Sequence, residues 1–110
     1  MEPAEPLAER YERARMFFDA GDFITAARML VEVVAEAPGD LSASLLLARA
    51  YYHSAQLHRA EAQARAILER HPAEEYAHLL LGRTLQRQSR HAEAVAHLRI
   101  AEAMSGQIIL

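Results

Sequence analysis

The sequence predicts an all-α chain assembled from three tandem copies of one helix-turn-helix unit. Three observations carry that prediction: a composition rich in helix formers, a self-similarity at a fixed interval, and turn-forming residues at regular stations. The 110 residues are 52% hydrophobic and 25% charged, the balance of a chain that folds and stays dissolved. A chain of this length buries roughly 60–65% of the surface its unfolded form exposes, enough for one domain. Alanine supplies much of the apolar share, and only four Gly and four Pro interrupt the run of Ala, Leu, Glu, Gln and Arg.

The interval shows first in a repeated phrase. Leu45–Arg49 reads LLLAR and Leu79–Arg83 reads LLLGR, and both ends of the phrase are displaced equally (79 − 45 = 34, 83 − 49 = 34). Pro38 and Pro72 share the spacing. So do Ala26, Ala60 and Ala94; Arg15, Arg49 and Arg83; Phe17, Tyr51 and Leu85; and Ala14, Ala48 and Gly82. The units that result are Leu7–Asp40, Leu41–Glu74 and Glu75–Ile108. The repeat domain is expected over residues 7–104, after a flexible N-terminal segment 1–6 and before an apolar tail 105–110.

Each unit divides into two helices. In the first, LAERYERARMFFDA precedes GD, and FITAARMLVEVVAEA precedes PGD. Gly21 suits the left-handed conformation that ends a helix. Pro38 cannot continue the second helix, and Asp40 is a natural N-cap for the next unit. SAQLH and HPAE supply the inner and outer turns of the second unit, and RQSRH supplies the inner turn of the third. Six helices of about 13–15 residues follow, with loops short enough to make neighbours antiparallel. Leu47, Ala48 and Tyr51 fall on one stripe of a helix. The small residue at Ala14, Ala48 or Gly82, and the alanine at Ala26, Ala60 or Ala94, allow the paired helices to approach closely.

With Leu81-Gly82-x₂-Leu85 and Ala94-x₃-Leu98 in the third unit, Leu47-Ala48-x₂-Tyr51 and Pro72 in the second, and Ala14-x₂-Phe17, Ala26-x₃-Leu30 and Pro38 in the first, the chain resembles the tetratricopeptide repeat family. The resemblance runs from about Leu7 to Met104. It departs from the family pattern in having no Trp, in placing Arg10, Ser44 and His78 where an aromatic is usual, and in Gly106 where a closing Pro is usual. It implies a right-handed superhelical stack whose first helices line a concave face that holds an extended peptide or a partner's helix.

On that face the resemblance places a second stripe of each first helix: Tyr11, Arg15 and Phe18; Leu45, Arg49, Tyr52 and His53; Leu79, Arg83 and Arg87. One arginine per unit forms a ladder. Equivalent helices lie about 8–10 Å apart and an extended peptide advances about 3.3 Å per residue, so an acidic residue at every third position would match it. Arg suits carboxylate because its planar fork binds it through two donors. The competing reading is a solvated face, since all 12 basic residues are Arg and Arg15 has Glu12 and Asp19 at helical neighbour distance. A subclass of the family clamps chaperone tails with Lys and Asn, and this chain contains neither.

The two ends differ. Arg10 and Arg13 replace apolar residues on the outer side of the first helix, as a terminal cap does. At the other end Val95, Leu98 and Met104 would border solvent. Ile108, Ile109 and Leu110 would then cover them as a lid, a second copy would cover them as a homodimer, or a longer parent chain would.

Other chemistry is disfavoured. A net charge of −3 makes nucleic-acid binding unlikely. The absence of Cys excludes disulfides and thiolate sites. The spacings of His53 with His58 and of His91 with His97 do not suit a helical metal site, and no triad, carboxylate pair or phosphate loop stands out, so no metal, cofactor or catalysis is expected. No signal segment or membrane span is read, which leaves the cytoplasm as the default location. The expectation is a non-catalytic adaptor that binds another protein or peptide in its groove, with self-assembly through the C-terminal end as the alternative.

Overall fold

A computed structural model describes residues 5–105. Those residues form six α-helices and no strand: α1 Leu7–Asp19, α2 Phe23–Glu36, α3 Leu41–His53, α4 Leu57–Arg70, α5 Glu75–Arg87 and α6 His91–Ser105. First helices start at Leu7, Leu41 and Glu75 and second helices at Phe23, Leu57 and His91, so every start recurs at the interval of the sequence repeat (41 − 7 = 34, 57 − 23 = 34). Each helix packs against its neighbours in the chain, and α3 also touches α1 and α5. This is an all-α repeat stack. Ile108, Ile109 and Leu110 lie outside the described residues.

Local chemistry sets the helix ends. Asp22 accepts a hydrogen bond from the Thr25 N–H at 3.1 Å, and Asp40 accepts one from the Ala43 N–H at 3.2 Å, each satisfying a first-turn donor. The turn inside each unit is the same device three times. Asp22, Gln56 and Arg90 donate their N–H to the carbonyls of Phe17, Tyr51 and Leu85, at 2.9, 2.8 and 3.0 Å. The residue before each donor is left-handed: Gly21 at φ +84°, Ala55 and Ser89 at +61°. This paired bonding closes the orphan carbonyls of a helix end and demands positive φ, which only Gly adopts freely.

Packing follows the small residues. Ala14, Ala48, Ala26, Ala60 and Ala94 are all fully buried. A Cβ added to Gly82 would lie 2.6 Å from the Leu98 side chain and 3.4 Å from the Ala94 carbonyl oxygen, so α5 and α6 meet where one of them has no side chain. Thr84, buried beside this contact, donates its hydroxyl to the Leu80 carbonyl at 2.7 Å. On the outer side of α1, Arg10 meets Glu36 at 2.6 Å and Arg13 pairs with Glu5. Phe17, with no helix against that side, is 36% exposed, whereas Leu85 at the same station of the third unit is fully buried.

A polar network fastens the second unit to the third. Glu61 on α4 accepts from Arg90 at 2.7 Å, Gln88 at 3.0 Å and Arg65 at 3.0 Å, and Arg90 also reaches Glu93 at 2.8 Å. Burial works to raise the Glu61 carboxyl, but hydrogen bonds from Gln88, Arg65 and Arg90 outweigh it and hold the group below the usual carboxylate range.

Two stability measurements check this account. Gly21 has open space around its missing Cβ, so Gly21→Ala probes backbone conformation alone and is expected to cost about 1 kcal/mol in urea unfolding. Ala55→Gly, the reverse exchange at the equivalent turn, is expected to gain about 0.5–1 kcal/mol; a loss at position 55 would show that the turn is not under strain. Gly82→Val forces bulk into the α5–α6 contact and is expected to destabilise by about 1–3 kcal/mol.

Candidate functional site

The second stripes of α1, α3 and α5 come together around Arg49. Its guanidinium carbon stands 4.7 Å from the centre of the Phe18 ring and 5.6 Å from that of Tyr76, so a side chain of α3 is gripped by an aromatic from α1 and another from α5. Such contacts are electrostatic, cation against ring face, and contribute about 0.5–1 kcal/mol where water has access and more where it does not. They leave the charge of the guanidinium in place. The Arg49 Nε is buried and has no hydrogen-bond partner among the described residues. An unsatisfied buried donor costs about 1–3 kcal/mol.

Rings continue on both sides. Phe18 meets Phe23 edge on at 5.0 Å, and His53 stacks on Phe23 at 4.8 Å. Tyr52 carries a second cation, with the Arg87 guanidinium 4.7 Å above its ring and donating to its carbonyl at 2.8 Å. A cleft between α3 and α5 is lined by Tyr52, His53, Tyr76, Leu79, Leu80 and Arg83. The site is electropositive although the chain is net negative. The His53 imidazole is pushed below its usual pKa by burial first, then by the charges of Arg49 and Arg87.

The structure brings together Phe18, Arg49, Tyr52, His53, Leu79, Arg83 and Arg87. Arg83 is exposed and donates to Gln86 of its own helix at 3.3 Å. Tyr11 and Leu45 are half-buried and pack against the core, Tyr11 on the first hydrophobic cluster and Leu45 on the second. Arg15 is exposed and makes no ion pair among the described residues, so neither Glu12 nor Asp19 holds it. Tyr76 and Phe23 are absent from the stripes read from the sequence. Tyr76 was within reach of that reading, because it precedes Leu79 by three positions on the same helix. Phe23 was not, because it begins a second helix.

At the C-terminal end Val95 is 43% and Met104 40% exposed, while Leu98 is half-buried against α5. Leu98 and Ala101 line a second cleft with Leu79 and Arg83, adjoining the first one along α5. Among the described residues, no three of His, Asp or Glu are grouped to hold a metal ion, and no helix is long and apolar enough to cross a membrane.

Helix pairs that repeat and stack on their neighbours define the class of helical-repeat proteins. The tetratricopeptide repeat family matches residues 17–83, and this chain belongs to it. Among solved structures, MamA 41-end from Desulfovibrio magneticus RS-1 is 25% identical, with a TM-score of 0.84 over 92% of this chain and 57% of that one. MamA of MSR-1 is 17% identical at a TM-score of 0.86, over 93% and 59% of the two chains. A chain of the CopN–Scc3 complex is 16% identical at 0.83, over 89% and 58%. The likenesses below 25% identity speak for the fold alone. This chain spans less than two thirds of the length of each of these chains. No curated protein matches the sequence.

Proposed function

We propose that this repeat domain is a non-catalytic protein-interaction module that holds an acidic, extended segment of another protein against the face formed by α1, α3 and α5. The observation that carries the reading is Arg49, held by two rings and paired with no carboxylate among the described residues. An arginine already held between two rings has less side-chain freedom left to lose when a carboxylate arrives. Arg83 supplies the next cation along the ladder, and Leu79 offers apolar surface between them. Membership of a family of interaction domains supports the same reading.

An array of short peptides graded from acidic to neutral tests it. Wild-type protein is expected to prefer acidic members, and Arg49→Glu/Arg83→Glu to bind them at least about tenfold more weakly, about 1.4 kcal/mol. The His53 ring reports the event independently. A carboxylate beside it favours the charged imidazole, so its pKa in the complex rises from the depressed value of the free protein, and binding tightens as pH falls through that range. Equal binding of acidic and neutral peptides, or undiminished binding by a double variant still folded by circular dichroism, refutes the reading.

The exposed Val95, Ile100 and Met104 beside the Leu79–Leu98 cleft favour a second reading, self-association through the C-terminal end, with Ile108, Ile109 and Leu110 as further contacts. Light scattering of the full chain and of a form ending at Ser105 separates the two. Loss of a dimer on truncation supports self-association, and a monomer in both forms eliminates it.

A further inference from the structure

Between α5 and α6, on the side away from Arg49, His78 and His97 face each other with their Nδ1 atoms 3.2 Å apart. The ring centroids are 5.5 Å apart and the planes differ by 25°. The excess of centroid over nitrogen separation (5.5 − 3.2 = 2.3 Å) is two imidazole radii, so the rings meet edge on, Nδ1 pointing at Nδ1. His78 is 8% exposed and its Nε2 lies 2.8 Å from the Pro72 carbonyl oxygen. A carbonyl only accepts, so the His78 proton sits on Nε2 and its Nδ1 is a bare acceptor. His97 must then donate from its own Nδ1.

The fold does not require histidines here. The same stations of the second unit (78 − 34 = 44, 97 − 34 = 63) hold Ser44 and Gln63, and there Gln63 merely reaches the Ser44 carbonyl at 3.4 Å. We propose that the His78–His97 pair is a proton-operated latch between α5 and α6, closed while the pair carries at most one positive charge and opened by a second proton. The first added proton goes to the free Nε2 of His97 and leaves the contact intact. The second has no site but the His78 Nδ1, where it would set N–H against N–H. One turn along α5 lies Gly82, packed so closely on Leu98 of α6 that a Cβ there would lie 2.6 Å from its side chain, so rings that part disturb a close-packed seam.

Arg65 and Glu69 of α4 border the pair, Arg65 being tied to Glu61 at 3.0 Å and to Glu93 at 3.3 Å, and the Glu93 charge on α6 favours the charged form of His97. His97 is held below the usual imidazole pKa by burial first, then by His78 and Arg65, against the opposing pull of Glu93. In the unfolded chain both rings take protons near pH 6.5, so below that value the unfolded state binds more protons and stability falls as pH drops; above it the latch contributes in full. The inference is independent of what the groove binds.

Urea unfolding followed from about pH 7.5 to about pH 5 tests it on wild type, on His97→Gln, and on His78→Ser/His97→Gln, which copies the second unit's own pair. A Gln amide can donate or accept, so it keeps contact with His78 in either protonation state. Wild type is expected to lose stability more steeply on acidification, its unfolding constant rising by up to about tenfold more per pH unit than in the variants, one extra proton being bound on unfolding. NMR titration of the two rings is expected to show the pair taking its protons in two separated steps. Equal acid slopes in wild type and variants, or two rings that both charge near pH 6.5 in the folded protein, overturns the latch.

Discussion

Two helices approach closely only where one of them gives up bulk, and this chain reserves a station in every unit for that purpose. Ala14, Ala48 and Gly82 occupy it on the first helices, and Ala26, Ala60 and Ala94 answer on the second; the alanines are fully buried. At Gly82 the approach leaves no room even for a methyl group without moving Leu98. The remaining geometry follows from this spacing. With the pair locked on one side, the side chains a third of a turn away on each first helix must face inward, and Leu45, Arg49, Leu79 and Arg83 are the residues found there. The inner turn then has to reverse the chain within a few residues, which explains why Gly21, Ala55 and Ser89 share a left-handed backbone although only one of them is suited to it. Close packing takes precedence over local preference at two turns of the three.

That hierarchy also explains what the sequence disclosed. Periodicity is a property of single residues at fixed separations, so the constant repeat interval and the proline and glycine punctuation displayed an all-α repeat stack directly. Asp40 at the start of α3 needed only local reasoning, because a cap and the N–H it satisfies are three residues apart. The candidate site was legible only as a stripe. Arg49 was visible as one rung of a series, but the grip on it was not, because Phe18 and Tyr76 lie on different helices and far from it along the chain (49 − 18 = 31, 76 − 49 = 27). The histidines show the same limit. Comparing spacings along one helix led to His91 and His97, whereas the partner of His97 is His78, across an antiparallel seam.

The arginines divide by what holds them. On the outer seams they end on carboxylates of the chain itself: Arg10 on Glu36, Arg13 on Glu5, Arg65 and Arg90 on Glu61 and Glu93. Those charges are spent in fastening one element to the next, and exposed pairs of this kind contribute at most about 1 kcal/mol each. Arg49 and Arg87 end on rings instead. A ring neutralises nothing. It fixes the position of the guanidinium and leaves its full charge in place, and that charge adds to burial, the larger cause, in holding the His53 imidazole below its usual pKa. In a chain with three more acids than bases, leaving cations unneutralised on one face requires that acids be kept away from it, and among the described residues the rings of Phe18 and Tyr76, not a carboxylate, stand against Arg49. Packing alone does not ask for that arrangement, since aliphatic residues would fill the same space without leaving a buried donor unpaired.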